Sequence, residues 1–254
     1  MGTPYQQGFI RLEGGSLGRT TFIKKNGEYR TKERIVTVSK QQWKTDPKYK
    51  RRREISAVFT RGVKAAQLIR TGVGAFIQKQ DPKVGNRLRK LMLSVVHMDT
   101  THTRDEIKIL AENLSSVTGF NFNKAVSLRS IFNTRYTTTV NRATGKATIN
   151  IPSFVPSERI KAPKGSTHFR VITAGFALDF EKNVHNGNTF MSDKLPWDDA
   201  ATNEINIVLD FLVNKSLPIF IYFGLQFVQE VAGTSYSVGQ TKLDPLCIVD
   251  VSIS

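Results

Sequence analysis

The stretch YTTTVNRATGKATINI, residues 136–151, decides how the second half of this chain folds. Tyr136 to Val140 and Ala147 to Ile151 are rich in β-branched residues, which suit a pleated, half-buried surface. Between them Asn141 to Lys146 is polar and centred on Gly145, so the stretch reads as strand, turn, strand. The same period of about 2 holds on both sides of it, from Gly119 onward. Candidate strands are 119–123, 126–132, 135–141, 146–151, 168–173, 176–181, 204–213, 217–231 and 246–253. Pro152, Pro156, Pro163 and Gly165 mark a connecting segment, and 183–203 reads as a long loop. Short strands at such spacing predict an antiparallel β-sandwich, Ig-like or jelly-roll-like.

Before Gly119 the apolar period is that of a helix. Thr45-Asp46-Pro47 is an opening signal, with a capping side chain and a proline where its missing N–H costs nothing. Ile55, Val58, Phe59, Gly62, Ala66, Ile69, Val73 and Phe76 then form one face. A glycine on that face suggests close helix packing. Asp81-Pro82 repeats the signal ahead of Leu88, Leu91, Met92 and Val95. Thr103 and Asp105-Glu106 open an expected third helix bearing Ile107, Leu110 and Leu114. Further back, Asn26-Gly27 favours a type I′ turn and predicts a hairpin at 19–34. Gly14, Gly15 and Gly18 resemble a phosphate loop only superficially, since no Lys-Ser or Lys-Thr follows. The expected fold class is α+β: a hairpin plus two or three helices at 1–116, then the sandwich at 117–254.

The 254 residues include 37 Lys+Arg, 21 Asp+Glu and a single cysteine, Cys247. One cysteine excludes an internal disulfide framework and a multi-cysteine metal site. The net charge of +16 is unevenly placed: residues 1–110 hold 24 basic and 9 acidic side chains, residues 111–254 hold 13 and 12. A cationic N-terminal part points to a polyanion or to an acidic face of another subunit. Met1 to Gly8 carries no basic and apolar signal pattern, and no apolar run approaches 18 residues, so cytoplasmic synthesis without membrane insertion is expected, with lysis as a route of release.

Few residues stand in a pattern that carries catalysis. His97 and His102 are five apart rather than four, so even with Asp99 and Asp105 nearby no metal site is expected. Cys247 lies in an apolar strand, where a thiol is usually inert. Asp179 and Glu181 stand two apart on a candidate strand, and Asp198-Asp199 follow Trp197; an outward polar face and a loop anchor account for them. No catalytic, cofactor-binding or metal-binding residue is therefore expected. The basic tract is the distinctive feature. Lys44, Lys48, Lys50, Arg51, Arg52, Arg53, Arg61, Lys64 and Arg70 decorate the first helix and its entrance, and Arg87, Arg89 and Lys90 decorate the next. At 3.6 residues per turn, Lys50, Arg53, Arg61 and Lys64 share a face. Such a face suits sequence-independent, salt-dependent phosphate binding or contact with another subunit.

The stretches Gly14 to Phe22, Thr45-Asp46-Pro47, Arg51 to Glu54, Phe59 to Arg70, Phe120 to Asn123, Ile151 to Pro156, Thr167-His168-Phe169 and Leu195-Pro196-Trp197 resemble a family of uncharacterised proteins common in Bacteroidetes-type bacteria. The resemblance spans nearly the whole chain and implies no activity, cofactor or catalytic residue. The leading expectation is a non-enzymatic, self-assembling structural protein, a virion-like shell, tube or filament subunit. Its basic part would tie to neighbouring subunits or to enclosed nucleic acid. The alternatives are a cytoplasmic protein binding DNA or RNA non-specifically, and a carbohydrate-binding or hydrolytic sandwich using Trp197, Asp198 and Asp199.

Overall fold

The computed structural model describes residues 15–26, 28–33, 38–77, 81–104, 106–211, 216–241 and 243–253. Gly14, Gly27, Asp105 and the last two residues of the strand expected at 204–213 lie outside them. Contacts divide the chain into two units, Met1–Arg53 and Glu54–Ser254.

In the first unit, β1 (Gly15–Leu17), β2 (Thr20–Lys25) and β3 (Glu28–Glu33) form an antiparallel sheet in that order. Lys25 pairs with Glu28, and Asn26 has φ +54°, as the expected hairpin turn requires. Helix α1 (Lys40–Thr45) was not expected; Ser39 and Gln42 cap it reciprocally. The Asp46-Pro47 signal opens a single 3-10 turn, Pro47–Tyr49, with the Asp46 carboxylate accepting the Lys48 N–H at 2.9 Å. Helix α2 (Lys50–Thr71) follows directly.

In the second unit, α2 buries Val58, Gly62, Ala65, Ala66, Leu68 and Ile69. Helix α3 is the single turn Gly74–Ile77, and α4 (Val84–His97) buries Leu88, Met92 and Val95. A β-carbon on Gly62 would stand 2.7 Å from Leu93 Cδ2, so glycine there sets the close approach of α2 to α4. Ile55 and Phe59 depart from expectation: they are 57% and 49% exposed, because at that end the apolar face borders an open groove. Among the described residues the expected third helix does not form over 103–110. The buried Asp99 carboxylate takes the Lys108 N–H at 2.8 Å, residues 107–110 run irregularly, and a 3-10 turn, Ala111–Val117, follows.

The β-strands continue as β4 (Thr137–Asn141), β5 (Lys146–Ile151), β6 (His168–Asp179), β7 (Val184–Met191), β8 (Leu195–Pro196), β9 (Ile205–Asp210), β10 (Ile219–Val231), β11 (Thr234–Ser237) and β12 (Leu246–Ser252). The β4–β5 hairpin turns at Gly145, φ +67°, and Arg142 ties its tip to the Leu217 and Ser252 carbonyls. Several expectations are corrected. Residues 119–123 make only an isolated bridge, Asn121 with Cys247. Residues 126–132 hold a helical turn, α5 (Leu128–Ile131), because Ser127 caps it by accepting the Ser130 N–H. A second such turn, α6, is Pro156–Arg159. The two strands expected at 168–181 are one. The loop expected at 183–203 contains β7 and β8; β7 keeps nearly all its side chains in solvent, so no alternation announces it.

One sheet runs β11-β10-β6-β7, with β12 on β10 and β8 on β6; a second runs β4-β5-β9. All these pairings are antiparallel. Along β10, Ile219, Ile221, Phe223, Leu225 and Phe227 point into the core shared with the second sheet. Phe220 and Tyr222 point into the core shared with α2 and α4. The larger sheet is thus covered on both faces along β10, which explains why that strand reads as a continuous apolar run. Helices α2 and α4 share a core with β6, β10 and β12, and by contacts the chain divides between Arg53 and Glu54.

Asp244, fully buried before β12, accepts the Phe227 N–H at 3.0 Å. Burial raises its pKa to about 7, overriding that hydrogen bond. Its folded value lies above the unfolded one, so the stability it contributes is full below about pH 4 and is lost as pH rises to about 7. Asp244→Asn keeps an acceptor for Phe227. Urea titration is expected to show the variant more stable than the native chain by a few kcal/mol (roughly 1–4) at pH 8 and nearly equal to it near pH 4.

Candidate polyanion-binding surface

Lys44 closes α1, Lys48 sits in the 3-10 turn, and Lys50, Arg51 and Arg52 start α2. All five are exposed, and none forms an ion pair among the described residues. Trp43 and Tyr49 pack with ring centroids 5.7 Å apart, and the Arg52 guanidinium lies 5.8 Å from the Tyr49 ring centre. That contact orders one cation of the group while leaving its charge in solvent. Arg53 behaves differently. Its Nη1 donates to the carbonyls of Trp43 at 2.6 Å and Asp46 at 3.0 Å, fastening α1 to the chain that follows. It is a brace and not part of the open cationic surface.

The second unit distributes the remaining tract residues. Lys64, Arg70 and Lys90 are exposed, and Arg89 is half-buried. Arg61 is half-buried and engaged with a partner. Arg87 is committed to structure: it pairs with Asp81 at 2.8 Å, donates to the Asn121 and Phe122 carbonyls, and lies 5.0 Å from the Phe120 ring centre. Burial opposes ionisation of Asp81, but the Lys83 N–H and Arg87 hold its carboxyl below the usual range. Hence the open cations cluster at 44–52 and thin out beyond.

The other singled-out residues also have places. His97, Asp99 and His102 line a groove of about 610 Å³ with Ile55, Phe59 and Arg104. Asp99 is fully enclosed. Burial opposes its charge, yet the Lys108 N–H, Thr101 and His102 Nδ1 (2.8 Å) hold it far below the usual carboxylate range. With both its oxygens occupied, it orients the imidazole. Among the described residues no cluster of three metal-ligating side chains occurs. Asp179 accepts the Glu181 and Lys182 N–H groups in the turn after β6, so the two carboxylates do not share a strand face. Trp197 Nε1 donates to the Ile160 carbonyl at 3.1 Å, anchoring its loop, and Asp199 accepts the Ser157 hydroxyl at 2.6 Å. Cys247 is buried, which pushes its thiol up to about 12.

No helix among the described residues is long and apolar enough to cross a membrane. Comparison of the chain with protein-family models, curated proteins and solved structures returned no match.

Proposed function

We propose that the chain is a non-enzymatic structural subunit that self-assembles, with the cationic segment at 44–52 engaging nucleic acid. The observation that carries this reading is the open charge of Lys44, Lys48, Lys50, Arg51 and Arg52, exposed and without acidic partners among the described residues. Charge balance favours phosphate over a neighbouring copy as the counterpart. Residues 1–53 hold 14 basic against 4 acidic side chains, and residues 54–254 hold 23 against 17, so both units are net cationic. Copies approaching one another repel, and a polyanion relieves the repulsion. The body supplies apolar surface for contact between copies: Val184, Phe190 and Met191 on β7 and Val208 on β9 are each at least 40% exposed.

Light scattering after size-exclusion chromatography, with and without single-stranded DNA, tests the proposal. Multimers that grow with added DNA and shrink with salt are expected. A clean monomer under every condition would sink the idea.

A further inference from the structure

The geometry points to a second anion site, within the second unit and built from residues outside the basic tract: a cleft that takes a small ligand carrying two or more phosphate groups. The cleft encloses about 1130 Å³. Three arginines from three segments line it: Arg129 in α5, Arg135 in the loop before β4, and Arg159 at the end of α6. All three are exposed, and none makes an ion pair or side-chain hydrogen bond among the described residues. Glu158 is the single carboxylate among the lining residues.

Composition does not account for this cluster. Residues 111–254 are nearly neutral, with 13 basic against 12 acidic side chains, yet three bases and one acid meet in one concavity. A concave wall of one sign focuses the field on whatever enters it. The guanidinium fork matches phosphate oxygens in paired hydrogen bonds. Two positive charges remain after Glu158, which suits a ligand with at least two negative charges in a small volume.

The walls are held before any ligand arrives. Phe132 and Ile160 form a bridge, the Asn133 N–H donates to the Arg159 carbonyl at 2.8 Å, and the Lys161 N–H donates to the Ile131 carbonyl at 2.9 Å. These bonds join the segment bearing Arg129 and Arg135 to the one bearing Arg159. Beneath them Phe132 packs edge-on against Phe154 at 5.6 Å and Phe223 at 5.3 Å, and Tyr136 lies 5.0 Å from Phe223. A preformed wall loses little freedom on binding, which favours affinity. Cys247, at the same cleft, is neutral because burial raises its pKa, so it contributes no opposing charge.

Isothermal titration of the full chain with inorganic tripolyphosphate at low salt provides the test, with citrate as a carboxylate control. One binding event per chain is expected, with citrate at least about tenfold weaker. Arg135→Ala with Arg159→Ala is expected to weaken tripolyphosphate about a hundredfold, as two charge-assisted contacts disappear. The double lysine variant at the same positions, which keeps charge and loses the fork, should fall between. Unliganded melting temperatures check that both variants fold. Lys48→Ala with Arg51→Ala should bind as the native chain does, whatever becomes of its DNA binding. Unchanged affinity in the cleft variants, loss of affinity in the tract variant, equal binding of citrate, or no binding at all would each overturn the proposal.

Discussion

Reversal of Lys48, Lys50, Arg51 and Arg52 to glutamate is expected to abolish binding of single-stranded DNA while leaving the fold intact. The four side chains are exposed and form no ion pair among the described residues, so reversing them breaks no salt bridge there. Arg53 stays native in this variant. Its guanidinium satisfies two backbone carbonyls, and its removal would mix a folding defect into the readout. Each phosphate neutralised releases condensed counterions, and for single strands the salt slope is about −0.7 per contact. Four contacts therefore give a slope near −3, or on the order of a fiftyfold affinity change between 50 and 200 mM salt. Reversal also adds repulsion, so the loss at low salt should exceed that. Fluorescence anisotropy over a salt series measures both quantities, and circular dichroism checks the fold. Affinity and slope that match the native chain would place phosphate contact elsewhere.

Arg53 and Arg87 also show where a sequence stops being informative. Charge, helix periodicity, the Asn26-Gly27 turn and the Asp-Pro signals are local properties, and they locate the hairpin, α2, α4 and the basic tract. Which arginines are free is not local. Arg53 is consumed by carbonyls 7 and 10 residues back, and Arg87 by carbonyls 34 and 35 residues ahead. The arginine cleft is not local either, since Arg159 reaches the segment of Arg129 and Arg135 through the Phe132–Ile160 bridge and the backbone hydrogen bonds beside it. Strand β7 escaped for another: backbone pairing with β6 defines it, while its side chains stay in solvent and leave no apolar pattern. The third helix failed because a single buried carboxylate, Asp99, captured the Lys108 N–H. Propensity yields to such a tertiary contact.

Phe223→Ala is expected to cost more stability than any surface change. Phe223 is completely buried near the middle of β10, on the face packed against the β4-β5-β9 sheet. Its ring meets Phe132 and Tyr136, so it ties the larger sheet to the segment that carries Arg129 and Arg135. Truncation removes that apolar area and leaves a cavity that rigid strands cannot close, a loss of about 3–5 kcal/mol. For a domain of this size each kcal/mol lowers the melting temperature by roughly 2–4 °C, so a fall of about 10 °C is expected by calorimetry. Phe190→Ala is the control. Phe190 is 42% exposed on β7, and its truncation should stay within about 0.5 kcal/mol. The pair separates two uses of an aromatic ring: Phe223 should shift melting strongly, whereas Phe190, on the surface proposed for contact between copies, should shift assembly and spare melting. Equal melting shifts for the two variants would mean that the face of β10 packed on the second sheet is not the stabilising core assigned to it.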